Sequence, residues 1–327
     1  MVTPKSYNLS MQITSPTPAT QRNRRFERAS ESVAFQLTAR DEDIIRAVGR
    51  NRFLSSRQIQ ALFSGSPQKI LRRLNGLYHA GYLDRPRAQL DFYATAGSAP
   101  LVYGLADKGA RHINARDHET LPEHDWKRKN RAAGRPFIEH TLGIAEFHVD
   151  IISATRNRPN IELINAHALI AEFPKAPVTH DKAFMWTTTV RHNDKAASRS
   201  VNPDYAFALR SAVIGRRCYL VEIDRGTMPL ERAEYDQTSI ARKIDTYIHG
   251  HAAKLHERQF GWKALRVIFV TDTEQRATNM RTIALANLTK NPSLRRLFYF
   301  THAPAIHGKD MLAHTWIDGN GEPQTLI

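Results

Sequence analysis

Cysteine and long hydrophobic runs are both scarce in this sequence. Cys218 is the single cysteine among 327 residues, so neither an internal disulfide nor a cysteine-built zinc site can form. No stretch approaches the roughly 18 consecutive apolar residues that a membrane helix needs. The N-terminal segment also lacks the apolar core of a secretory signal. We therefore expect a protein of the reducing cytoplasm that is not associated with a membrane.

Two catalytic motifs are missing as well. The chain has no GxxxxGK(S/T) phosphate loop and no GxSxG nucleophile elbow, so nucleotide-driven motors and hydrolases of that class are unsupported. The one His-x-His pattern, His249-Gly250-His251, falls at the end of a predicted helix. It is therefore not on a strand that would present both rings to one metal ion.

Positive charge, in contrast, is in excess and unevenly distributed. The chain has 47 Lys and Arg against 32 Asp and Glu, a net charge of +15 and a pI near 10.1. Residues 1–135 hold 23 basic and 12 acidic residues, a net of +11, whereas residues 136–327 hold 24 and 20, a net of +4. Such a balance is typical of proteins that bind a polyanion, most often nucleic acid. We expect the N-terminal part to contact it first.

Residues 1–36 predict a flexible basic arm. They are rich in Ser, Thr, Pro, Gln and Arg, show no sustained periodicity and contain the cluster QRNRRFER at 21–28. Two interpretations stay open: an arm that contacts phosphates, or a solvated tail.

Residues 37–117 show three helical patterns and then two extended runs. The N-cap candidates of the three helices are Thr38, then Ser55 or Ser56, then Ser66. The extended runs, YLDRP (82–86) and VYGLA (102–106), are separated by a loop and followed by a short helix. This order predicts a winged helix-turn-helix domain.

The third helix has an apolar and a polar face. At 100° per residue, one arc of about 120° holds Ile70, Leu71, Leu74, Leu77 and Tyr78. The opposite face carries cations and amides, which contact phosphates and the edges of guanine and adenine. An ordinary solvated helix face is the alternative. Including flanking arginines, the expected DNA-binding residues are Arg57, Gln68, Lys69, Arg72, Arg73, Arg85 and Arg87.

Three stretches of this part carry a family resemblance. They are RDEDIIRAVGRNRFLSSRQIQALF, RRLNGLYHAGYLDRP and YGLADKGARHI. Together they resemble the N-terminal half of the replication-relaxation family, and the likeness continues through EIDRGTMPLE, covering most of residues 37–250. The resemblance implies a DNA-binding protein of a bacterial plasmid or another mobile element, with double-stranded DNA as its partner.

Beyond a polar, basic linker at 118–136, residues 137–327 predict an α/β domain. The patterns read helix, three strands, helix, strand, helix and strand, an order that favours a mixed sheet. CYLVEI (218–223) is almost entirely apolar and is therefore expected to be a central strand.

Three carboxylates lie at predicted strand ends. Asp204 follows Pro203 at the head of one strand, and Glu222 and Asp224 close the next. Residues two apart in a strand share a face, and hairpin pairing would bring Asp204 beside them. Converging carboxylates repel one another unless a hard cation lies between them. This predicts a Mg²⁺ site of the kind that hydrolyses phosphodiesters.

This order of elements is similar to the restriction-endonuclease-like PD-(D/E)XK fold. In that resemblance Asp204 and Glu222 match the two acids, and Glu146 matches an acid on the preceding helix. Asp224 stands where the family has its lysine, and Lys243 on the next helix is the candidate to replace it. The expected catalytic set is Asp204, Glu222, Asp224 and Lys243, and the expected Mg²⁺ ligands are Glu146, Asp204 and Glu222.

A structural interpretation of the same acids stays open, because Glu222 or Asp224 could instead pair with Arg225 or Lys243. Three functional hypotheses follow. The first is a mobile-element protein whose winged helix recognises duplex DNA and whose nuclease-like domain acts on the DNA or clamps it. The second is a metal-dependent endonuclease. The third is a transcription or replication regulator whose C-terminal domain only forms a homodimer.

Overall fold

Two groups of elements build the chain. The computed structural model describes residues 25–29, 34–92, 99–116, 125–175, 182–192, 195–213, 215–232, 237–288 and 292–327. The elements of the N-terminal group are α1 (Ala39–Asn51), β1 (Phe53–Ser55), α2 (Ser56–Leu62), α3 (Pro67–His79), β2 (Leu83–Asp84), β3 (Val102–Leu105), α4 (Asp107–Arg116) and α5 (Trp126–Ala132). The three strands form one antiparallel sheet in the order β1-β3-β2.

Local capping explains where the first helices begin. Thr38 and Asp41 form a capping box at the start of α1, and Ser55 and Gln58 form a second one at α2. Pro67 occupies the first turn of α3. The three predicted helices are therefore present. Strand β1 was not predicted, because three residues are too short to show a period of two.

The described part of the predicted linker is helical instead of irregular. Helix α5 lies within it, and Trp126 packs into the core of the N-terminal group. Asn130, which is 1% exposed, donates a hydrogen bond to the Leu105 carbonyl at 2.8 Å. Trp126 and Asn130 are four residues apart and therefore lie on the same face of α5. Residues 117–124 lie outside the described residues.

The described part of the predicted arm packs against α3. The Arg28 guanidinium donates to the Leu83 carbonyl at 3.0 Å and lies over the Tyr78 ring. The Phe35 ring covers Gly76, where an added Cβ would come within 2.3 Å of it. Flexibility and phosphate contact stay a prediction for residues 1–24 and 30–33, which lie outside the described residues.

The C-terminal group is an α/β structure with a mixed sheet. Its elements are α6 (Arg135–Arg156), β4 (Glu162–Asn165), α7 (Ala166–Ala171), β5 (Trp186–His192), β6 (Lys195–Val201), β7 (Tyr205–Ser211), β8 (Gly215–Ile223), α8 (Ile240–Ala252), α9 (Leu255–Phe260), β9 (Leu265–Thr271), α10 (Glu274–Leu288), β10 (Phe298–His302), α11 (Ala303–Ile306), β11 (Trp316–Asp318) and β12 (Pro323–Gln324). The seven-stranded sheet has the order β12-β11-β10-β9-β8-β7-β4.

Strand direction changes along this sheet. Strands β4, β7 and β8 pair antiparallel, whereas β8, β9 and β10 pair parallel. Strands β5 and β6 form a separate hairpin. On one face of the sheet, Ile244, Tyr247 and Met280 of α8 and α10 belong to the apolar core. On the other, Phe147 and Ile151 of α6 do so.

Two predicted elements differ from the structure. The alternation of residues 161–170 predicts a strand over the whole segment, but the strand ends at Asn165, whose side chain caps α7. The sequence predicts a long helix from Leu230, but the helix begins only at Ile240, because the Ser239 hydroxyl accepts from the Arg242 amide and fixes the N-terminus there. Residues 233–236 lie outside the described residues.

Helix α6 belongs to both groups. Its Ala145 packs into the core formed by α1 to α4, and its Ile138 lies in a cluster with Phe53 of β1. Phe147 and Ile151 of the same helix pack against the large sheet. The two groups are therefore joined by a shared helix. None of the described helices is long and apolar enough to cross a bilayer.

The contact of Phe35 with Gly76 gives a stability prediction. We expect Gly76→Ala to destabilise the protein by about 1–3 kcal/mol, because the new methyl overlaps the ring. In a Phe35→Ala background the same change should stabilise by roughly 0.5–1 kcal/mol through helix propensity. Denaturant unfolding of the four proteins measures this reversal. An equal effect of Gly76→Ala in both backgrounds would contradict the packing.

Candidate functional site

The outer face of α3 is exposed and polar. Gln68, Lys69, Arg72 and Asn75 are exposed, whereas Ile70, Leu74, Leu77 and Tyr78 are buried. Leu71, which the periodicity placed with the apolar residues, is 43% exposed and lies at the edge of the polar face. The predicted division of the helix is thus correct except at Leu71.

Arg73 was expected to contact DNA, but its side chain is paired within the protein. Its guanidinium pairs with the carboxylate of Asp41, which is fully buried, and donates to the Gln36 carbonyl at 2.8 Å. Burial acts to raise the pKa of Asp41, but the bonds from Arg73 and Thr38 outweigh it and lower the pKa. Arg73 therefore stabilises the contact of α3 with α1.

Arg85 is also structural. Its side chain is buried, with the guanidinium 4.0 Å from the centre of the Tyr78 ring. It donates to Asn75 Oδ1 at 2.9 Å and to the Arg25 carbonyl at 2.7 Å. It therefore joins the segment after β2 to α3 and to the N-terminal residues, and its role as a DNA contact stays a prediction.

Four of the predicted DNA-binding cations stay exposed. Arg57 lies on α2, Lys69 and Arg72 lie on α3, and Arg87 follows β2. Within the described ranges, no hydrogen bond or ion pair engages their side chains. These cations and the α3 amides are the surface that an anionic partner can reach, and we call this set the α3 surface.

A pair of carboxylates lies at the β7–β8 end of the large sheet. Tyr205 pairs with Val221 in the antiparallel register, and extending that register sets Asp204 opposite Glu222. The Asp204 amide donates to the Val221 carbonyl at 2.9 Å, and Asp204 Oδ2 accepts from the Ile223 amide at 2.7 Å. The predicted approach of these two acids is present in the structure.

Glu222 is buried and fully engaged. It is 2% exposed. Its Oε2 lies 2.5 Å from Lys243 Nζ, and its Oε1 accepts from the Tyr247 hydroxyl at 2.6 Å. Burial raises the pKa of Glu222, while the Lys243 charge acts to lower it.

Lys243 is the counterion of this acidic end of the sheet. Burial acts to lower the pKa of Lys243, but the charges of Glu222, Asp204 and Asp224 outweigh it and raise the pKa. Asp204 has a further partner, since its Oδ1 lies 3.1 Å from His140 Nε2 on α6. We call Asp204, Glu222, Lys243, Tyr247 and His140 the acidic site.

Asp224 does not join this pair through its side chain. Its carboxylate accepts from Arg276 Nε at 2.5 Å and from the Thr271 hydroxyl at 2.7 Å. Burial acts to raise the pKa of Asp224, but these bonds and the Gly226 amide lower it overall. Asp224 therefore connects the end of β8 to α10, and its place in the expected catalytic set stays a prediction.

Glu146 lies elsewhere as well. Its Oε2 accepts from Gln58 Nε2 of α2 at 2.7 Å, so the carboxylate lies at the contact between the two groups of elements. Among the described residues, no group of three or more His, Cys, Asp or Glu is arranged to hold a metal ion. Asp204 and Glu222 alone still match the one or two carboxylates with which proteins hold Mg²⁺.

Three partners in these contacts were not predicted. Tyr247 lies four residues after Lys243 and so on the same face of α8, a spacing that could have identified it. His140 and Arg276 reach Asp204 and Asp224 from α6 and α10, and no local pattern indicates those contacts.

Fold and sites together define a two-part α/β protein. It has a helical N-terminal group with an exposed cationic surface and a mixed sheet with a buried acid–lysine pair. The family model described as Replication-relaxation matches residues 45–262, two thirds of the chain. The chain therefore belongs to the replication-relaxation family. No curated protein and no solved structure matches it.

The Lys243–Glu222 pair predicts a pH-dependent loss of stability. We expect Lys243→Met to cost about 3–5 kcal/mol at neutral pH, because it leaves a buried carboxylate without its cation. The folded-state pKa of Glu222 then rises further above the unfolded value. The contribution of Glu222 to the free energy of unfolding is present while its carboxyl group is protonated, and it is lost as the pH rises through the folded-state pKa.

The free energy of unfolding of wild type and variant should therefore diverge as the pH rises from about 4 towards 8. In wild type the raised pKa of Lys243 keeps the lysine charged across this range. The double variant Lys243→Met, Glu222→Gln is the matched control and should show no such divergence. If the difference in free energy of unfolding between wild type and Lys243→Met does not change with pH, the loss of Lys243 does not alter the ionisation of Glu222, and the prediction is wrong.

Proposed function

We propose that this protein binds duplex DNA through the α3 surface. The observation that carries the proposal is the exposure of Gln68, Lys69 and Arg72 along one side of a helix whose other side is buried. Guanidinium groups bind guanine, amides bind adenine, and lysines neutralise phosphates. Leu71, beside them, adds an apolar group of the kind that contacts a thymine methyl.

The order of elements supports the same proposal. Helices α1 to α3 are followed by the ribbon of β2 and β3, with β1 completing the small sheet. This order resembles that of a winged helix-turn-helix, in which the last helix of the three enters the major groove. The net charge of +11 over residues 1–135 favours an anionic partner for this group.

The membership of the replication-relaxation family supports a place in replication or relaxation of plasmid or other mobile-element DNA. In this proposal the N-terminal group locates a duplex site and the C-terminal group acts on the DNA or clamps it. A regulator whose C-terminal group only forms a homodimer is the rival outcome.

Adjacent arginines offer a matched test of the DNA surface. We expect Arg72→Ala to weaken binding to a cognate duplex by roughly 1–3 kcal/mol without loss of stability, because the side chain is exposed. Arg73→Ala should instead lower the stability, since it leaves Asp41 buried without its cation. Fluorescence anisotropy over a range of salt concentrations, with thermal melts, separates the two effects.

The cognate duplex for this test is selected from a random-sequence pool by the wild-type protein. Lys69→Ala should weaken binding to all sequences equally and reduce the salt dependence by about one ion. Equal affinities of wild type and Arg72→Ala across salt concentrations would contradict the assignment of α3.

A second function is favoured by the acidic site: Mg²⁺-dependent cleavage of DNA. When α7, the β5–β6 hairpin and α9 are left out, the order α6-β4-β7-β8-α8-β9, with antiparallel β4, β7 and β8 and parallel β9, resembles that of the restriction-endonuclease-like fold. In this likeness Asp204 and Glu222 would correspond to its two acids. The lysine comes from α8, in contact with Glu222, rather than from the strand position that Asp224 holds.

Four residues of the acidic site have a role in this proposal. Asp204 and Glu222 would hold Mg²⁺, which when bound neutralises charge on a phosphate and lowers the pKa of a coordinated water. Lys243 would then stabilise the negative charge that develops on the phosphate. Tyr247 holds Oε1 of Glu222 by a hydrogen bond, so Oε2, which contacts Lys243, is the oxygen that would bind Mg²⁺.

Supercoiled plasmid distinguishes the outcomes. We expect wild type to nick or linearise it with Mg²⁺ or Mn²⁺, and the same ions to raise the melting temperature by binding the native form. Asp204→Asn should abolish both effects, because it removes a ligand. Glu146→Gln, which changes an acid outside the acidic site, is the matched control and should retain both.

If the protein binds the plasmid without nicking it, and its melting temperature does not change with Mg²⁺ or Mn²⁺, the proposed cleavage is wrong. The proposed DNA binding is then unaffected. The C-terminal group would then be a clamp or a homodimerisation unit. If Glu146→Gln loses cleavage, Glu146 would be a Mg²⁺ ligand, as the sequence predicted.

A further inference from the structure

Helix α5 presents a row of exposed cations. Residues 125–135 hold five basic residues and one acidic residue, a net of +4, which equals the net charge of residues 136–327. Lys127, Arg128 and Arg131 are exposed on the helix surface. With about 100° of rotation per residue, these three fall within one arc of about 100°. We call them the α5 surface.

The buried side of α5 fixes the direction of this surface. The Trp126 amide donates to Asp107 Oδ1 at 2.8 Å, and its ring packs into the core of the N-terminal group. Asn130 Oδ1 accepts from Arg52 Nη1 at 2.6 Å. A helix of seven residues is too short to be stable alone. These contacts therefore hold α5 in place and keep its cations on a rigid support.

The protein itself does not neutralise the α5 surface. Arg128 Nε lies 3.9 Å from Asp125 Oδ2, and both side chains are exposed, so this ion pair contributes little. Within the described ranges, Lys127 and Arg131 form no ion pair or hydrogen bond through their side chains. Their spacing of four residues makes them neighbours, and like charges at that spacing destabilise a helix. A bound anion would remove this repulsion.

The composition of the surface indicates the kind of anion. Among the seven described residues of α5, no large apolar side chain is exposed, whereas protein interfaces have an apolar core. Its one amide side chain, Asn130, is buried and cannot reach the edge of a base. Exposed Lys and Arg without such groups fit phosphate oxygens, which fix a protein on DNA without reading its sequence.

We propose that the α5 surface binds the phosphate backbone of duplex DNA, independently of sequence and in addition to the α3 surface. The inference rests on the proposed binding of duplex DNA by this protein. It assigns a role to the part of the chain between the small sheet and α6, which the sequence marks only as a basic linker.

Lys129 on the same helix provides a matched control. It is half-buried, its Nζ lies 5.9 Å from the centre of the Trp126 ring, and it falls outside the arc of the α5 surface. Removing Lys129 therefore changes the net charge by the same amount as removing Lys127. Only Lys127 is placed to contact a phosphate and so to release a counterion.

The test measures the affinity of the full-length protein for cognate and unrelated duplexes by fluorescence anisotropy. Each phosphate contact adds about 0.9 to the slope of log affinity against log salt. The double variant Lys127→Ala, Arg131→Ala should therefore have a slope smaller by about 1.8. Between about 50 and 200 mM salt, the advantage of wild type over the variant should shrink about tenfold. Lys129→Ala should keep the wild-type slope.

Sequence preference separates the two surfaces. The double variant should keep the wild-type ratio of affinities for cognate and unrelated duplexes, whereas Arg72→Ala should lower that ratio. Its melting temperature should stay within a few degrees of wild type, because both side chains are exposed. If the alanine variant melts lower, Lys127→Gln, Arg131→Gln repeats the measurement with the chain length largely retained.

A second readout uses the wild-type protein alone. Mass spectrometry reports the rate at which an acetylating reagent modifies each lysine, with and without a saturating amount of duplex. We expect the duplex to slow the acetylation of Lys127 several-fold and to leave that of Lys129 unchanged. An unchanged rate at Lys127 would overturn the proposal.

These measurements keep the inference distinct from the function on which it rests. If wild type binds duplex DNA and the double variant has the wild-type slope, the role of the α5 surface is wrong and the α3 surface is unaffected. Equal loss of slope in Lys127→Ala and Lys129→Ala also overturns the inference, because net charge rather than contact would then be responsible. If wild type binds no duplex, the proposed function is wrong, and the α5 surface with it.

Discussion

The long helix α6 is the constraint on which the rest of the structure depends. Its sides pack against two different apolar cores, with Ala145 in one and Phe147 in the other. Polar contacts fix the same arrangement: His148 Nδ1 lies 2.7 Å from Asn51 Oδ1, and burial lowers the pKa of His148 to about 4. Because α6 also carries His140, a displacement of the N-terminal group against the sheet would disturb the partner of Asp204.

The Lys243 ammonium group explains how the acidic site stays folded without a metal ion. Like charges directly opposite on antiparallel strands destabilise a sheet, and Asp204 and Glu222 face each other in that way. Lys243 offsets this repulsion from α8, and Tyr247 satisfies the remaining oxygen of Glu222. A cation entering here would compete with an ammonium group already in place, so the fold does not require metal, although the proposed chemistry does.

Local signals predicted much of the fold and about half of the site. The capping residues Thr38 and Ser55 predict where α1 and α2 begin, and the hairpin register predicts that Asp204 lies opposite Glu222. The partners of charged residues were not predictable, because they come from distant elements. Nothing near Arg73 in the sequence indicates that Asp41 would be buried beside it. A shared strand face grouped Asp224 with the catalytic acids, but nothing near it in the sequence indicates its contact with Arg276.

The same reasoning limits what net charge can say about binding. The excess of +11 over residues 1–135 suggests a broad cationic surface, yet several of those arginines serve the fold. Arg73 neutralises Asp41, Arg85 lies against Tyr78, and Arg52 donates to Asn130 while it packs on Trp126. Each such cation contributes to the long-range field, but it cannot release a counterion through direct phosphate contact. Steering of an anionic partner therefore draws on the whole excess, whereas close contact depends on the few exposed side chains of the α3 surface and the α5 surface.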